Sequence, residues 1–73
     1  MQMYYVYILK KEGKYYIGYT EDLRRRLKEH TYEGNTTLVY YEAYVNKKSA
    51  TNREKKLKYY GSAWRSLRDR ITA

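Results

Sequence analysis

Two short runs of β-branched and aromatic residues, separated by one polar turn, open the chain and constrain its architecture more than any other feature. Tyr4-Tyr5-Val6-Tyr7-Ile8-Leu9 reads as a strand, Lys10-Lys11-Glu12-Gly13-Lys14 as a turn, and Tyr15-Tyr16-Ile17-Gly18-Tyr19-Thr20 as a second strand. Strands joined so closely pair as an antiparallel hairpin. Gly18 interrupts the second strand and removes a side chain where another backbone or a phosphate can approach. A simple bulge explains the same glycine equally well.

The remainder alternates helical and extended signals. Thr20 or Asp22 is placed to cap a helix over 23–30 that ends near the polar stretch around Gly34. Its apolar face carries Leu23, Leu27 and His30. At about 100° per residue, Arg26 lies roughly 60° from Leu23 on the flank of that face, while Arg25 points to solvent. Leu38-Val39-Tyr40-Tyr41-Glu42-Ala43-Tyr44-Val45 reads as a third strand with Asn46-Lys47-Lys48 as its exit. Ser49 is the expected cap of a second helix running to about Tyr60, with Gly61 as its stop and Ser62 as the cap of a third. The third helix sets Trp64, Leu67 and Ile71 on one face. The expected fold is therefore α+β, a small three-stranded antiparallel sheet flanked by three helices in the order β-β-α-β-α-α. Residues 1–73 are expected to form one domain, near the size at which an apolar core gives only marginal stability.

Composition narrows the chemistry. Without Cys the chain has neither disulfides nor thiolate metal sites, and with His30 as its only His a zinc enzyme is disfavoured. Its longest apolar run is far below the roughly 20 residues of a membrane span, so no membrane role and a cytoplasmic location are expected. Sixteen Lys and Arg against eight Asp and Glu give a net charge of +8, which points to an anionic partner. A plain soluble basic surface is the blander reading. Residues 53–70 concentrate the charge, with Arg53, Lys55, Lys56, Lys58, Arg65, Arg68 and Arg70 opposed only by Glu54 and Asp69. Twelve Tyr and no Phe suit half-buried strands first, and stacking on bases second.

The second helix holds one anomaly. Glu54 lies in its apolar stripe, at i+4 from Ala50 and i−3 from Leu57. An inward carboxylate needs a cation or a basic partner. A salt bridge to Arg26 or another base satisfies that need as well as a metal ion does. Phosphodiester hydrolysis requires a cation, a group that activates water and fixed positive charge on the phosphate. Glu54 can supply a ligand for Mg²⁺, a cation that keeps several waters, and Arg26 a planar fork for phosphate. Tyr7 and Tyr16, on adjacent strands, can turn their hydroxyls to one cleft. A phenol with a pKa near 10 is a poor base unless cations lower it.

In these residues the chain resembles the GIY-YIG nuclease domain, in a short stand-alone form related to the amino-terminal nuclease domain of the excision-repair excinuclease. The resemblance covers nearly the whole chain. Val6-Tyr7-Ile8 stands at the first triplet, with Val6 where the family has Gly, and Tyr16-Ile17-Gly18 is an intact second triplet. The segment from Asp22 to His30 resembles the family helix with its Arg and, four residues later, its His or Tyr. Arg53-Glu54 followed by Leu57-Lys58 resembles the segment carrying the metal-binding Glu. The resemblance implies an endonuclease using one divalent cation, Mg²⁺ or Mn²⁺, on DNA, branched or damaged forms included. It implies that Glu54 binds the ion, Arg26 holds the scissile phosphate and Tyr7 helps to activate water. Tyr16 and His30 would belong to the same catalytic network, and Gly18 would shape the site. Arg24, Arg53, Lys55, Lys58, Arg65 and Arg68 are the expected nucleic-acid contacts. So small a surface implies low sequence specificity, with a second copy or a separate partner protein supplying what is missing. The alternative is a nucleic-acid-binding module of the same fold without turnover. No strand carries an RRM signature, which disfavours a small RNA-binding protein.

Overall fold

A computed structural model describes residues 1–31 and 34–72. Three strands, β1 (Tyr4–Lys11), β2 (Lys14–Thr20) and β3 (Thr36–Tyr44), and three helices, α1 (Leu23–Thr31), α2 (Lys47–Tyr59) and α3 (Gly61–Thr72), follow in the expected order β-β-α-β-α-α. The sheet is antiparallel, ordered β2-β1-β3. The hairpin turn is tighter than the sequence suggested. Lys11 pairs with Lys14, and only Glu12 (φ 52°) and Gly13 (φ 78°) make the turn. Two successive positive φ values match the right-handed twist of the flanking strands, and glycine takes the second without steric cost. The β1–β2 register is unbroken through Gly18, so that residue marks no bulge. The irregularity lies on the other side of β1. Ile8 faces Tyr40 while Leu9 faces Leu38, leaving Val39 as the extra residue.

Central strand β1 is covered on both faces. Val6 and Ile8, both fully buried, meet Ala50 and Leu57 of α2 and Leu67 of α3. Tyr7 and Leu9 alternate to the opposite face and are also buried. There α1 lies over the sheet, with Leu23 and Leu27 lining a groove with Tyr5, Leu38 and Tyr41. On the α2–α3 side, Trp64 stands edge-on to Tyr15 with ring centroids 5.4 Å apart, and Ala63 and Ile71 extend the core. Sequence periodicity thus found the packing faces of all three helices.

Helix termini depart from expectation in three places. Asp22 caps α1, its Oδ1 accepting the Arg25 N–H at 3.0 Å, while Thr20 Oγ1 accepts the Asp22 N–H from behind. Asn46, not Ser49, caps α2: its Oδ1 accepts the N–H groups of Lys48 (2.8 Å) and Ser49 (3.2 Å). Asn is an effective cap, and using it gives α2 three further residues. Gly61 does not stop α2, nor does Ser62 cap α3. The break is the extended backbone of Tyr60 (φ −115°, ψ 102°), whose carbonyl accepts the first N–H groups of α3, from Ala63 and Trp64. The polar stretch expected to end α1 includes residues 32 and 33, which lie outside the described residues.

Candidate active site

Tyr7 and Gly18 face each other across β1 and β2. A Cβ on Gly18 would overlap the outer edge and hydroxyl of the Tyr7 ring, so the missing side chain is the space the phenol occupies. The approach permitted by Gly18 is therefore that of a side chain of the same sheet. Over the same ring, His30 of α1 stands with its centroid 6.2 Å away and tilted by 55°.

Three charged side chains act on this buried phenol. Burial pushes the Tyr7 hydroxyl above its ordinary pKa; the Arg26 guanidinium pulls it back, and the Glu54 and Glu29 carboxylates raise it further. Arg26 and Glu29 come from α1 and Glu54 from α2. The fold thus brings Tyr7, Arg26, His30 and Glu54 to one locality. Tyr16 sits one step along the sheet, opposite Leu9 and half exposed. With Leu9, Lys11, His30 and Thr36 it lines a pocket of about 170 Å³, so His30 connects the Tyr7 and Tyr16 neighbourhoods.

Neither charged partner is tightly held. Arg26 Nη1 donates to Glu29 Oε2 at 3.4 Å, and Arg25 Nε donates to the other oxygen of the same carboxylate at 3.3 Å. The Arg25 side chain is 77% exposed against 42% for Arg26, as the helical phase predicted. Glu54 is 20% exposed, between buried Ala50 and Leu57. Its ion-pair partner is Lys58, one turn on, with Nζ 3.3 Å from Oε2, rather than Arg26. Among the described residues no group of three or more His, Cys, Asp or Glu gathers as a metal cage. The donor set at Glu54 is one carboxylate, which suits a hard cation that keeps most of its waters and takes further oxygens from a phosphate. It does not suit zinc.

The expected nucleic-acid contacts divide. Arg24, Lys55, Arg65 and Arg68 are exposed. Lys58 is shared with Glu54. Arg53 is engaged elsewhere, its Nε donating to both Glu42 oxygens (3.0 and 3.3 Å) and its Nη2 to Oε2 (3.1 Å). The Tyr40 and Tyr44 hydroxyls donate to the same carboxylate. Sequence reading missed this cluster. The signal was present: residues 40, 42 and 44 alternate onto one strand face, where a lone acid between two tyrosines needs a base from the covering helix.

An antiparallel sheet ordered β2-β1-β3, a tyrosine lodged over the glycine of the neighbouring strand, and Arg and Glu delivered by the two following helices define the class. The chain belongs to the GIY-YIG family: the model of the GIY-YIG catalytic domain matches residues 3–60, which include every residue of this locality and stop before α3. Members of that family are generally endonucleases. More particularly, the chain is similar to UPF0213 proteins. It is 40% identical over 62 residues to one from Clostridium perfringens, covering 71% of this chain and 67% of that protein. It is 35% identical over 71 residues to one from Halobacterium salinarum, covering 84% and 92%. The solution NMR structure of the UPF0213 protein from Bacillus halodurans superposes with a TM-score of 0.58 at 35% identity, over 77% of this chain and 70% of that one.

Proposed function

We propose that this chain is a divalent-metal-dependent endonuclease that hydrolyses DNA phosphodiester bonds with low sequence specificity. The observation that carries the reading is the convergence of Arg26 and Glu54, from opposite sides of the sheet, on a phenol that Gly18 allows to lie across the neighbouring strand. Glu54 is the residue that would hold Mg²⁺ or Mn²⁺. Such an ion, when bound, offsets charge developing on the phosphate and lowers the pKa of a coordinated water.

The chain's own residues account for the rest. Arg26, half exposed and linked to Glu29 by a long, exposed ion pair, swings onto a phosphate oxygen at little cost and offers it a two-pronged donor. Tyr7 orients the attacking water through its hydroxyl oxygen. Burial makes it a reluctant acid by itself, so proton transfer to it depends on positive charge gathering around it. His30 holds the Tyr7 ring from above, and Tyr16 reaches the same locality from the rim. Exposed Arg24, Lys55, Arg65 and Arg68 bind backbone phosphates, which gives affinity without sequence reading. A second copy or a partner protein would add specificity.

One observation favours a second reading, a DNA-binding module without turnover. Both charged groups of the proposed chemistry already have partners, Arg26 in Glu29 and Glu54 in Lys58. Incubation with branched, single-stranded and duplex DNA in Mg²⁺ or Mn²⁺, beside Glu54→Gln, decides between them. Metal-dependent nicking by the wild type alone supports the nuclease. Binding by both proteins without cleavage in either metal overturns it and leaves the module.

A further inference from the structure

Two tyrosines at the end of α2 have no structural occupation. Tyr59 is 76% exposed and Tyr60 63%, the most exposed aromatic side chains among the described residues. Among those residues neither ring packs on another ring, and neither hydroxyl has a hydrogen-bonding partner. Lys55 precedes Tyr59 by one helical turn, and Lys56 lies four residues before Tyr60, the extended residue that ends α2. Both lysines are exposed, and among the described residues neither pairs with an acid. Tyr60 and Lys56 share a shallow pocket with Ser62 and Ala63.

We infer that Tyr59 and Tyr60, with Lys55 and Lys56, form a stacking platform for unpaired bases, so that the preferred substrate is DNA carrying a single-stranded segment. The inference rests on the DNA reading proposed above and specifies its substrate class. Rings in water flanked by cations are the combination that binds single strands: the ammonium groups follow the phosphates and each ring takes the face of a base. Duplex DNA keeps those faces inside its own stack, so the platform discriminates by base pairing and not by sequence. At about 1.5 Å of rise and about 100° per residue, Tyr59 lies about 7.5 Å along the helix axis from Glu54 and about 140° around it, so the platform occupies the outer face of α2. Docking of a second copy on this patch is opposed by charge, because each chain carries +8.

The test is binding in EDTA, where no cleavage intervenes, by fluorescence anisotropy of labelled oligothymidine and of a duplex of equal length, over a salt series. The wild type should bind the single strand more tightly. The double variant Tyr59→Ala/Tyr60→Ala should lose about tenfold on the single strand and less than twofold on the duplex, with an unchanged salt slope. Tyr59→Phe/Tyr60→Phe keeps the rings and should bind within about twofold of wild type. Lys55→Ala/Lys56→Ala should instead flatten the single-strand salt slope by about 1.4, two released charges at about 0.7 each. Single-strand binding unchanged in the double alanine variant, or lost equally with duplex, overturns the inference while wild-type DNA binding leaves the nuclease reading standing. A concentration-dependent dimer that the same variant abolishes, with DNA binding intact, overturns it in favour of a protein contact. A wild type that binds neither DNA overturns the inference, and the metal-dependent nicking assay then decides the nuclease reading separately.

Discussion

Arg53 and Glu54 are adjacent in α2, yet they enter two different kinds of polar environment. Arg53 reaches Glu42 on β3, where the carboxylate takes three guanidinium contacts and two tyrosine hydroxyls. Among the described residues Glu54 has one ammonium, at 3.3 Å. Burial does not separate the two carboxylates, since Glu42 is 15% exposed and Glu54 20%. Saturation does. A carboxylate whose lone pairs are all taken holds a helix to a strand; one held by a single flexible lysine can accept another cation. The Glu42 side of α2 therefore anchors the helix, and that anchoring presents Glu54 from a fixed backbone.

Exchanging the two carboxylates for amides should separate activity from stability. Glu54→Gln is expected to lower cleavage by about 1,000-fold, the order of a lost charge-stabilising group, and to leave the melting temperature within about 2 °C. Glu42→Gln is expected to leave an arginine poorly paired and to cost about 2 kcal/mol, on the order of 8–16 °C in melting temperature for a domain this small. Thermal melts and nicking assays on both variants check this. Equal destabilisation by the two would erase the distinction between anchor and site.

Arg25 and Arg26 sharpen it within one helix, because both contact Glu29 and only Arg26 faces inward. Arg26→Ala should reduce cleavage about 100-fold and Arg25→Ala less than threefold. Comparable losses would mean that general charge on α1, not a directed fork, is what the phosphate requires.

The anchor should also declare itself in pH dependence. Burial alone would raise the Glu42 carboxyl, but hydrogen bonds from Arg53, Tyr40 and Tyr44 and the Arg53 charge outweigh it and hold the group below the usual carboxylate range. A depressed folded pKa contributes stability above the unfolded value near 4.3 and loses it as pH falls through the folded one. Burial and the bond to Glu42 push Tyr44 up to about 12, and the same causes raise Tyr40. A raised phenol contributes stability below the unfolded value near 10 and loses it as pH climbs towards about 12. Melting temperature should be level between roughly pH 5 and 10 and fall on both sides. In Glu42→Gln both limbs should flatten; a variant retaining the wild-type profile would place the pH dependence outside this cluster.

Local pattern made most of the architecture legible. Alternation exposed the strands, helical phase separated Arg26 from Arg25, and the Ala50-Glu54-Leu57 stripe singled out the inward carboxylate. The errors have a common physical source in choices between similar local groups. Asn46 and Ser49 are both competent caps, and which one serves depends on where β3 releases the chain. Gly61 carries a stop signal, but the extended backbone of Tyr60 ends α2 before glycine is needed. Partners of charged residues were harder still. Nothing local assigns Arg53 to Glu42 eleven residues away, or tells that the space left by Gly18 is filled by Tyr7. Those pairings arise from sheet register and helix docking, which are properties of the whole chain.

Lys58 provides the smallest expected effect and the most direct test of why Glu54 differs from Glu42. If the open side of α2 is open because Glu54's only partner among the described residues is replaceable, Lys58 is a resident counter-ion that an incoming cation must displace. An i,i+4 pair with its lysine 42% exposed contributes well under about 1 kcal/mol, so Lys58→Ala should tighten Mn²⁺ binding by no more than about fivefold. Titration calorimetry without DNA reads that change directly and does not depend on turnover. DNA affinity should fall slightly in the same variant, because one expected phosphate contact is gone. Weaker Mn²⁺ binding in Lys58→Ala would reverse the argument: the lysine would then be orienting the carboxylate for the ion, and Glu54 would be a positioned group in the same sense as Glu42.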